Sequence, residues 1–409
     1  MFVLLAVGCT WFTTGDDTPA GKAAAPVITI DPQPGSRQAP TGRGLVVRTA
    51  GGALTGVAAY ADGDPVPGRF EAGRTVWRSD HALVPGRDYA VSVTATGPGG
   101  ARTSTTGVFR TFTPEKTFKI TSVTPSPGET VGVGMPIIVD FDTPVRDKAS
   151  VERALAVRTD VPVEGAWHWA GDTRVIYRPR HYWPSGLKVD FAAHLAGVRA
   201  AKDVYGTAGH GVRFTVGRSQ TSVINTRTHK MVVERDGKVV QRMAISAGMA
   251  TTREYTTTSG VHLTMDKANP VRMISPNRRK GDPGYYDVMI DHAVRISNSG
   301  EYVHAKDNVW AQGRVNVSHG CVNARPDQAK WFYDTSLRGD PVLIRGTDRE
   351  LEWDNGWGYW QLSWPEWLAG SALHGDLTRD LAHDPADDLA HDPARDTGSG
   401  SGSTLRRSL

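Results

Sequence analysis

From Val27 to Val216 the chain is written in short runs that alternate apolar and polar residues and are broken by proline, glycine or aspartate. Leu45-Val46-Val47-Arg48 and Tyr89-Ala90-Val91-Ser92-Val93-Thr94 are examples in the first half, and Ile137-Ile138-Val139-Asp140-Phe141 and Val175-Ile176-Tyr177 in the second. A period of two sends successive side chains to opposite faces, so each run buries one face and wets the other, as a strand does. Asp62-Gly63, Asp64-Pro65 and Val84-Pro85-Gly86 supply turn residues between runs. Both halves close on a similar phrase, Gly107-Val108-Phe109-Arg110-Thr111-Phe112 and Gly211-Val212-Arg213-Phe214-Thr215-Val216. Repeated short strands with regular turns predict two β-sandwiches in tandem.

The sandwiches are expected over 27–115 and 118–217, as immunoglobulin-like modules without the inter-sheet disulfide of antibody domains, since neither span contains cysteine. A third unit, 220–346, opens with Ser222-Val223-Ile224-Asn225 and a hairpin whose turn is Asp236-Gly237. Its one convincing helix is Pro326 to Asp334, with proline at the start and an acid in the first turn. The predicted fold class is therefore mainly β: two immunoglobulin-like sandwiches, then a β-rich domain with a short helix. Tryptophans at 353, 357, 360, 364 and 367 make 347–372 a small packed C-terminal appendage. Residues 373–409 repeat Asp-Leu-Ala-His-Asp-Pro-Ala from Asp380 and again from Asp388, have little to bury, and are expected to be disordered.

Lys+Arg 47 against Asp+Glu 43 leaves a net charge of +4, and no extended Lys/Arg-rich run is present, which argues against nucleic acid as a partner. The only two cysteines, Cys9 and Cys321, exclude a disulfide framework. Met1 to Cys9 reads as the end of a lipoprotein signal, with Cys9 acylated after cleavage, residues 10–26 as a tether and an upstream true start codon. A fortuitous apolar start is the alternative. A lipid-anchored, secreted protein on the outer face of the membrane is expected, and a monomer.

The chemistry concentrates in Tyr302-Val303-His304-Ala305 and Asn316-Val317-Ser318-His319-Gly320-Cys321-Val322-Asn323. A thiol is a strong nucleophile only once deprotonated, and His304 and His319 are bases within reach in sequence. Gly320 lets the backbone come close to a substrate carbonyl and aim N–H groups at an oxyanion. A buried structural cysteine is one alternative. A zinc site from His304, His319 and Cys321, lacking an obvious fourth ligand, is another. In papain-like peptidases the cysteine precedes the histidine, the reverse of the order here.

At these residues the chain resembles the L,D-transpeptidases, the YkuD-type enzymes that cross-link cell-wall peptides. The family pattern is a histidine, a spacer and Ser/Thr-His-Gly-Cys-x-Asn, matched by His304 and Ser318-His319-Gly320-Cys321-Val322-Asn323. The sandwiches, the lipoprotein start and Trp360-Gln361-Leu362-Ser363-Trp364-Pro365-Glu366-Trp367 resemble the actinobacterial branch. The resemblance implies Cys321 as nucleophile, His304 as acid/base oriented by the Ala305 carbonyl, and His319 as support for loop and thiolate. It implies an oxyanion hole from the Gly320 and Cys321 N–H groups. Tyr286, Ser299, Gly300, Ser318 and Asn323 fall where the family binds the donor stem, although Tyr286 could be a core residue and Ser299-Gly300 a plain hairpin turn.

The implied reaction is 3→3 cross-linking of peptidoglycan tetrapeptide stems with neighbouring stems as acceptors, release of D-Ala and inactivation by carbapenems, with no metal or cofactor. Hydrolysis by an L,D-carboxypeptidase, or non-catalytic wall binding, are the competing functions. Relatives often carry tryptophan a few residues after the histidine, whereas Lys306-Asp307-Asn308-Val309 precede Trp310 here. Lys267 to Gly284 reads as a polar lid loop whose Arg278-Arg279-Lys280 could meet stem carboxylates or simply be solvated.

Overall fold

The computed structural model describes residues 24–275 and 278–374. Cys9, most of the tether and the acidic repeats lie outside the described residues. The chain divides into two compact units, Met1–Thr113 and Pro114–Leu409.

The first unit is a sandwich of two four-stranded antiparallel sheets. One runs Val27–Asp31, Val46–Ala50, Val76–Ser79, Gly68–Phe70, and the other Asp64–Pro65, Ala53–Ala61, Asp88–Thr96, Arg102–Arg110. Alternation holds along Asp88–Thr96, where Tyr89, Val91, Val93 and Ala95 are buried and the residues between them are exposed or half-buried. They pack with Leu54, Trp77 and Phe109 into a single core.

The second unit joins a similar sandwich, the third domain and the appendage. Its sandwich pairs the sheet Ile120–Thr124, Ile137–Phe141, Arg174–Pro179, Gly165–Trp169 with the sheet Thr130–Val131, His210–Val216, Lys188–Ala193, Leu155–Thr159. The third domain is built on a nine-stranded sheet. Its order is Gly260–Leu263, Pro341–Arg345, Gln220–Asn225, Lys230–Arg235, Lys238–Ser246, Val322–Ala324, Tyr302–Ala305, Ala293–Arg295, Lys267–Ala268. The helix Pro326–Thr335 covers it with Ala329 and Phe332, which join Met231, Met243, Val303, Val322 and Ile344 in the core. In the expected hairpin, Asp236 (φ 50°) and Gly237 (φ 75°) turn the strand Lys230–Arg235 into Lys238–Ser246.

Backbone contact and tryptophan explain why the second sandwich and the third domain are one compact body. Gly132 N–H donates to the Arg338 carbonyl (2.7 Å) and Gly134 N–H to the Gly339 carbonyl (2.9 Å). A Cβ on Gly132 would lie 2.3 Å from the Asp340 nitrogen, so only glycine permits this approach. The appendage then bolts onto the sandwich through the helix Trp364–Ala369, which starts with a Ser363/Glu366 capping box. Trp367 is fully buried, and its indole N–H donates to the Ala166 carbonyl at 2.9 Å. The Arg178 guanidinium lies over the rings of Trp360 (4.7 Å), Trp364 (5.4 Å) and Trp367 (4.7 Å) and donates to the Leu362 carbonyl (2.8 Å). Buried Glu152 accepts hydrogen bonds from Trp169 Nε1 (3.0 Å), Ala372 N–H (2.8 Å) and the Ser371 hydroxyl.

The expected lid loop is part strand. Val271–Ile274 pairs with Asp287–Ile290 in a two-stranded ribbon, with Met273 opposite Val288. The β-branched and long apolar residues of Val271-Arg272-Met273-Ile274 favour this, a signal hidden by the polar residues around them. Among the described residues no helix is long and apolar enough to cross a membrane.

Candidate active site

The strand Tyr302–Ala305 lies parallel to Val322–Ala324, with Val303 opposite Val322 and His304 opposite Asn323. Paired residues share a face of the sheet, and side chains two positions apart along a strand share it too. His304, Asn323 and Cys321 therefore project to the same side, and all three line one cleft of about 350 Å³. Two apolar neighbours, Val303 and Val322, point the other way into the core. The local pattern of buried apolar and inward polar residues thus sets His304 on one strand and Cys321 directly before its parallel neighbour.

His304 is buried, and its Nδ1 hydrogen-bonds the Ala305 carbonyl at 2.8 Å. A carbonyl only accepts, so Nδ1 carries the proton and Nε2 is left as the basic nitrogen. Burial lowers the ring's pKa to about 4 against the opposing hydrogen bond to Ala305. Cys321 is the free cysteine of the described residues, and its Sγ donates to the Gly300 carbonyl at 3.5 Å. Burial pushes its thiol up to about 12; a hydrogen bond with the Tyr302 backbone acts the other way, and the charge of Glu301 adds to the rise. At neutral pH the resting pair is a neutral thiol and a neutral imidazole.

The loop into Cys321 is held from several sides. Gly320 sits at φ +128°, a conformation that L side chains rarely adopt, although a Cβ there would meet no atom closer than 3.8 Å; backbone shape, not crowding, requires glycine. Its carbonyl accepts the Thr257 hydroxyl at 2.7 Å. Its N–H donates to Ser318 Oγ at 3.1 Å, and the Ser318 hydroxyl donates to the Cys321 carbonyl. The Gly320 N–H, expected in the oxyanion hole, is thus engaged by Ser318, whose hydroxyl is in turn bonded to the Cys321 carbonyl, while Ser318 also lines the cleft.

The rim of the cleft is aromatic and charged. Tyr286 stacks on the His319 ring (5.3 Å, 20°) and Tyr255 meets the same ring edge-on (4.5 Å, 66°). Tyr286 is half-buried and lines the cleft, so it is not a core tyrosine. The His319 pKa is lowered by burial and by Arg278, with Glu254 opposing. Arg278 grips Glu254 through two hydrogen bonds of 2.7 Å. Ser299 and Gly300, in the turn between Ala293–Arg295 and Tyr302–Ala305, line the cleft as well as making the turn. Trp310 is 62% exposed, while Lys306 and Asn308 from the same segment line the cleft.

Thr257, Tyr255, Glu254 and Glu301 were not legible as site residues. Arg253-Glu254-Tyr255-Thr256-Thr257-Thr258 reads as a polar loop, and only pairing across the fold brings it to the cysteine. Among the described residues no group of three or more His, Cys, Asp or Glu side chains is placed to hold a metal ion.

The sequence profile of the L,D-transpeptidase catalytic domain matches residues 219–344, and that of a bacterial Ig domain matches 36–199. L,D-transpeptidase 2 of Mycobacterium tuberculosis is 33% identical over 360 residues, 87% of each chain. The chain belongs to the L,D-transpeptidase family. L,D-transpeptidase 5 of the same species is 35% identical over 318 residues, 76% of this chain and 69% of that one. Among solved structures, an L,D-transpeptidase in complex with imipenem is 32% identical, with a TM-score of 0.48 over 55% of this chain and 98% of its own. As a member of that family the chain is an acyltransferase, with its catalytic domain on the nine-stranded sheet and its Ig-like region before it.

Proposed function

We propose that this L,D-transpeptidase forms 3→3 cross-links in peptidoglycan through a Cys321 thioester. The observation that carries the mechanism is that His304, on one strand, and Cys321, directly before its parallel neighbour, line one cleft. Nε2 of His304 takes the thiol proton as Cys321 sulfur attacks the carbonyl of stem residue three. Attack and proton transfer go together, because burial disfavours a resting thiolate–imidazolium pair. The Cys321 N–H faces the developing oxyanion, and the Gly320 N–H joins only if Ser318 releases it. His304 returns the proton to the departing D-Ala nitrogen, leaving the thioester. It then deprotonates an amine of a neighbouring stem, which displaces the thioester and regenerates the thiol. With water in place of the amine the product is a tripeptide.

Tyr286, Ser299, Gly300 and Asn323 line the donor side, and the Arg278–Glu254 pair at the rim suits an incoming stem carboxylate. His319, packed between two tyrosines, supports the loop. The same thiol is the expected site of carbapenem acylation. The reading puts the protein, as a monomer, in the cell wall, held through Cys9 by a lipid, with the sandwiches as a stalk between anchor and active site.

The test is mass spectrometry of the protein and of Cys321→Ala with disaccharide-tetrapeptide donors. A Cys321 acyl adduct, free D-Ala and stem dimers are the expected products, all absent from Cys321→Ala. Turnover surviving in that variant would overturn the assignment. Folded wild-type protein giving neither adduct nor product would favour wall binding without catalysis.

A further inference from the structure

Behind the nucleophile lies a carboxylate that the reaction above does not use. Glu301 is 4% exposed, immediately after Gly300, whose carbonyl receives the Cys321 thiol. A buried carboxylate is costly unless it is hydrogen-bonded, and here both oxygens are. Oε1 accepts the Thr258 N–H at 2.7 Å, and Oε2 accepts the Thr258 hydroxyl at 2.7 Å and lies 3.8 Å from Nε2 of the fully buried His262. The backbone N–H of Glu301 donates to Ser297 Oγ at 3.1 Å, closing the turn on itself. Asn355, from the appendage, takes the Ser299 N–H at 2.9 Å and completes the frame. Burial pushes the Glu301 carboxyl up, but the nearby His262 and the hydrogen bonds from Thr258 outweigh it and hold it below the usual carboxylate range.

We propose that Glu301 is a positioning residue for Cys321: its carboxylate, held by Thr258 next to His262, fixes the turn that presents the Gly300 carbonyl to the thiol, and sets a negative charge on the residue next to the one that touches the sulfur, in the same cleft. The carbonyl holds the S–H in one direction, and the charge opposes a resting thiolate, so ionisation waits for His304 and a bound substrate. The other ionisable groups around the cleft are His304 and Lys306 from the strand Tyr302–Ala305 and its continuation, Arg278 and Tyr286 from the lid, Glu254, Tyr255 and Arg349 from the rim, and His319 from the loop of Cys321 itself. Of the acidic groups among them and Glu301, Glu301 is the one joined to the residue that touches the sulfur.

The inference rests on Cys321 being the nucleophile, and alkylation by iodoacetamide reads the thiol without a stem substrate. Its rate against pH should be measured on the full chain by intact mass, for wild type, Glu301→Gln and Glu301→Ala. Glutamine keeps an acceptor for the Thr258 N–H and removes the charge, so its alkylation profile should move to lower pH, about tenfold faster at a given pH below the midpoint. Glu301→Ala frees the turn, so acylation by a tetrapeptide donor should lose kcat more than KM, with glutamine restoring most of it. An alkylation profile for Glu301→Gln that overlays the wild type overturns the proposal, and that variant decides alone should Glu301→Ala fail to fold. Loss of the transpeptidase reading would show separately, as wild type that is alkylated normally but never acylated by a stem.

Discussion

Two histidines of the second unit are buried in nearly the same way and face different surroundings. His304 hydrogen-bonds the Ala305 carbonyl through Nδ1 at 2.8 Å, and His168 the Trp367 carbonyl through Nδ1 at 2.9 Å. Burial lowers the pKa of both. What separates them is what faces the rest of the ring. His168 stacks on Trp367 (4.6 Å) and meets Trp353 edge-on (5.1 Å), and a Cβ on Gly370 would lie 2.1 Å from its Nδ1. His304 instead opens on a cleft that also holds a thiol. A depressed pKa with a carbonyl partner therefore marks a packed histidine as readily as a base, and the neighbouring cavity and nucleophile decide between them.

The comparison breaks most sharply at His304. His304→Gln keeps a buried polar side chain and removes the base, so Cys321 acylation should fall by about 10²–10⁴-fold, read as the rate of adduct formation by intact mass, with thermal stability little changed. At the joint the reverse holds. Trp367→Ala removes the buried indole against which His168, Tyr359 and Arg178 pack, and should cost about 3–5 kcal/mol in chemical denaturation.

A smaller effect, in pH, sharpens the contrast. With its folded pKa at about 4 against the ordinary 6.5, His304 stays a competent base on acidification until the pH approaches the lower value. The acid limb of kcat/KM should therefore lie well below 6.5, falling about tenfold per pH unit beyond it. Over the same window the unfolded chain binds the proton that folded His304 refuses, so stability present above 6.5 is lost as the pH falls toward 4. An acid limb centred at 6.5 would show that His304 is solvated in the working enzyme.

The sandwiches, the Asp236-Gly237 hairpin and the helix from Pro326 were legible because each is a local pattern: alternation, a turn dipeptide, a proline-led helix. His304 and Cys321 stood out as candidates because a histidine, a spacer and Ser318-His319-Gly320-Cys321-Val322-Asn323 follow one another within a short stretch of chain. The role of the tryptophans was not, since Trp367 finds its partners near Ala166 and Arg178, far away in sequence. Glu301 was invisible for the same reason: its binding partners, Thr258 and His262, come from a distant strand and the loop before it. The engaged Gly320 N–H is a matter of loop geometry that no residue pattern encodes.

The most direct measurement follows Cys321 by time-resolved intact mass with a tetrapeptide donor in wild type, His304→Gln and His168→Gln, each first shown to be folded. An acyl adduct that forms in wild type and His168→Gln at similar rates and nearly vanishes in His304→Gln is the predicted result. Undiminished acylation in His304→Gln, or its loss in folded His168→Gln, would contradict the assignment of the base.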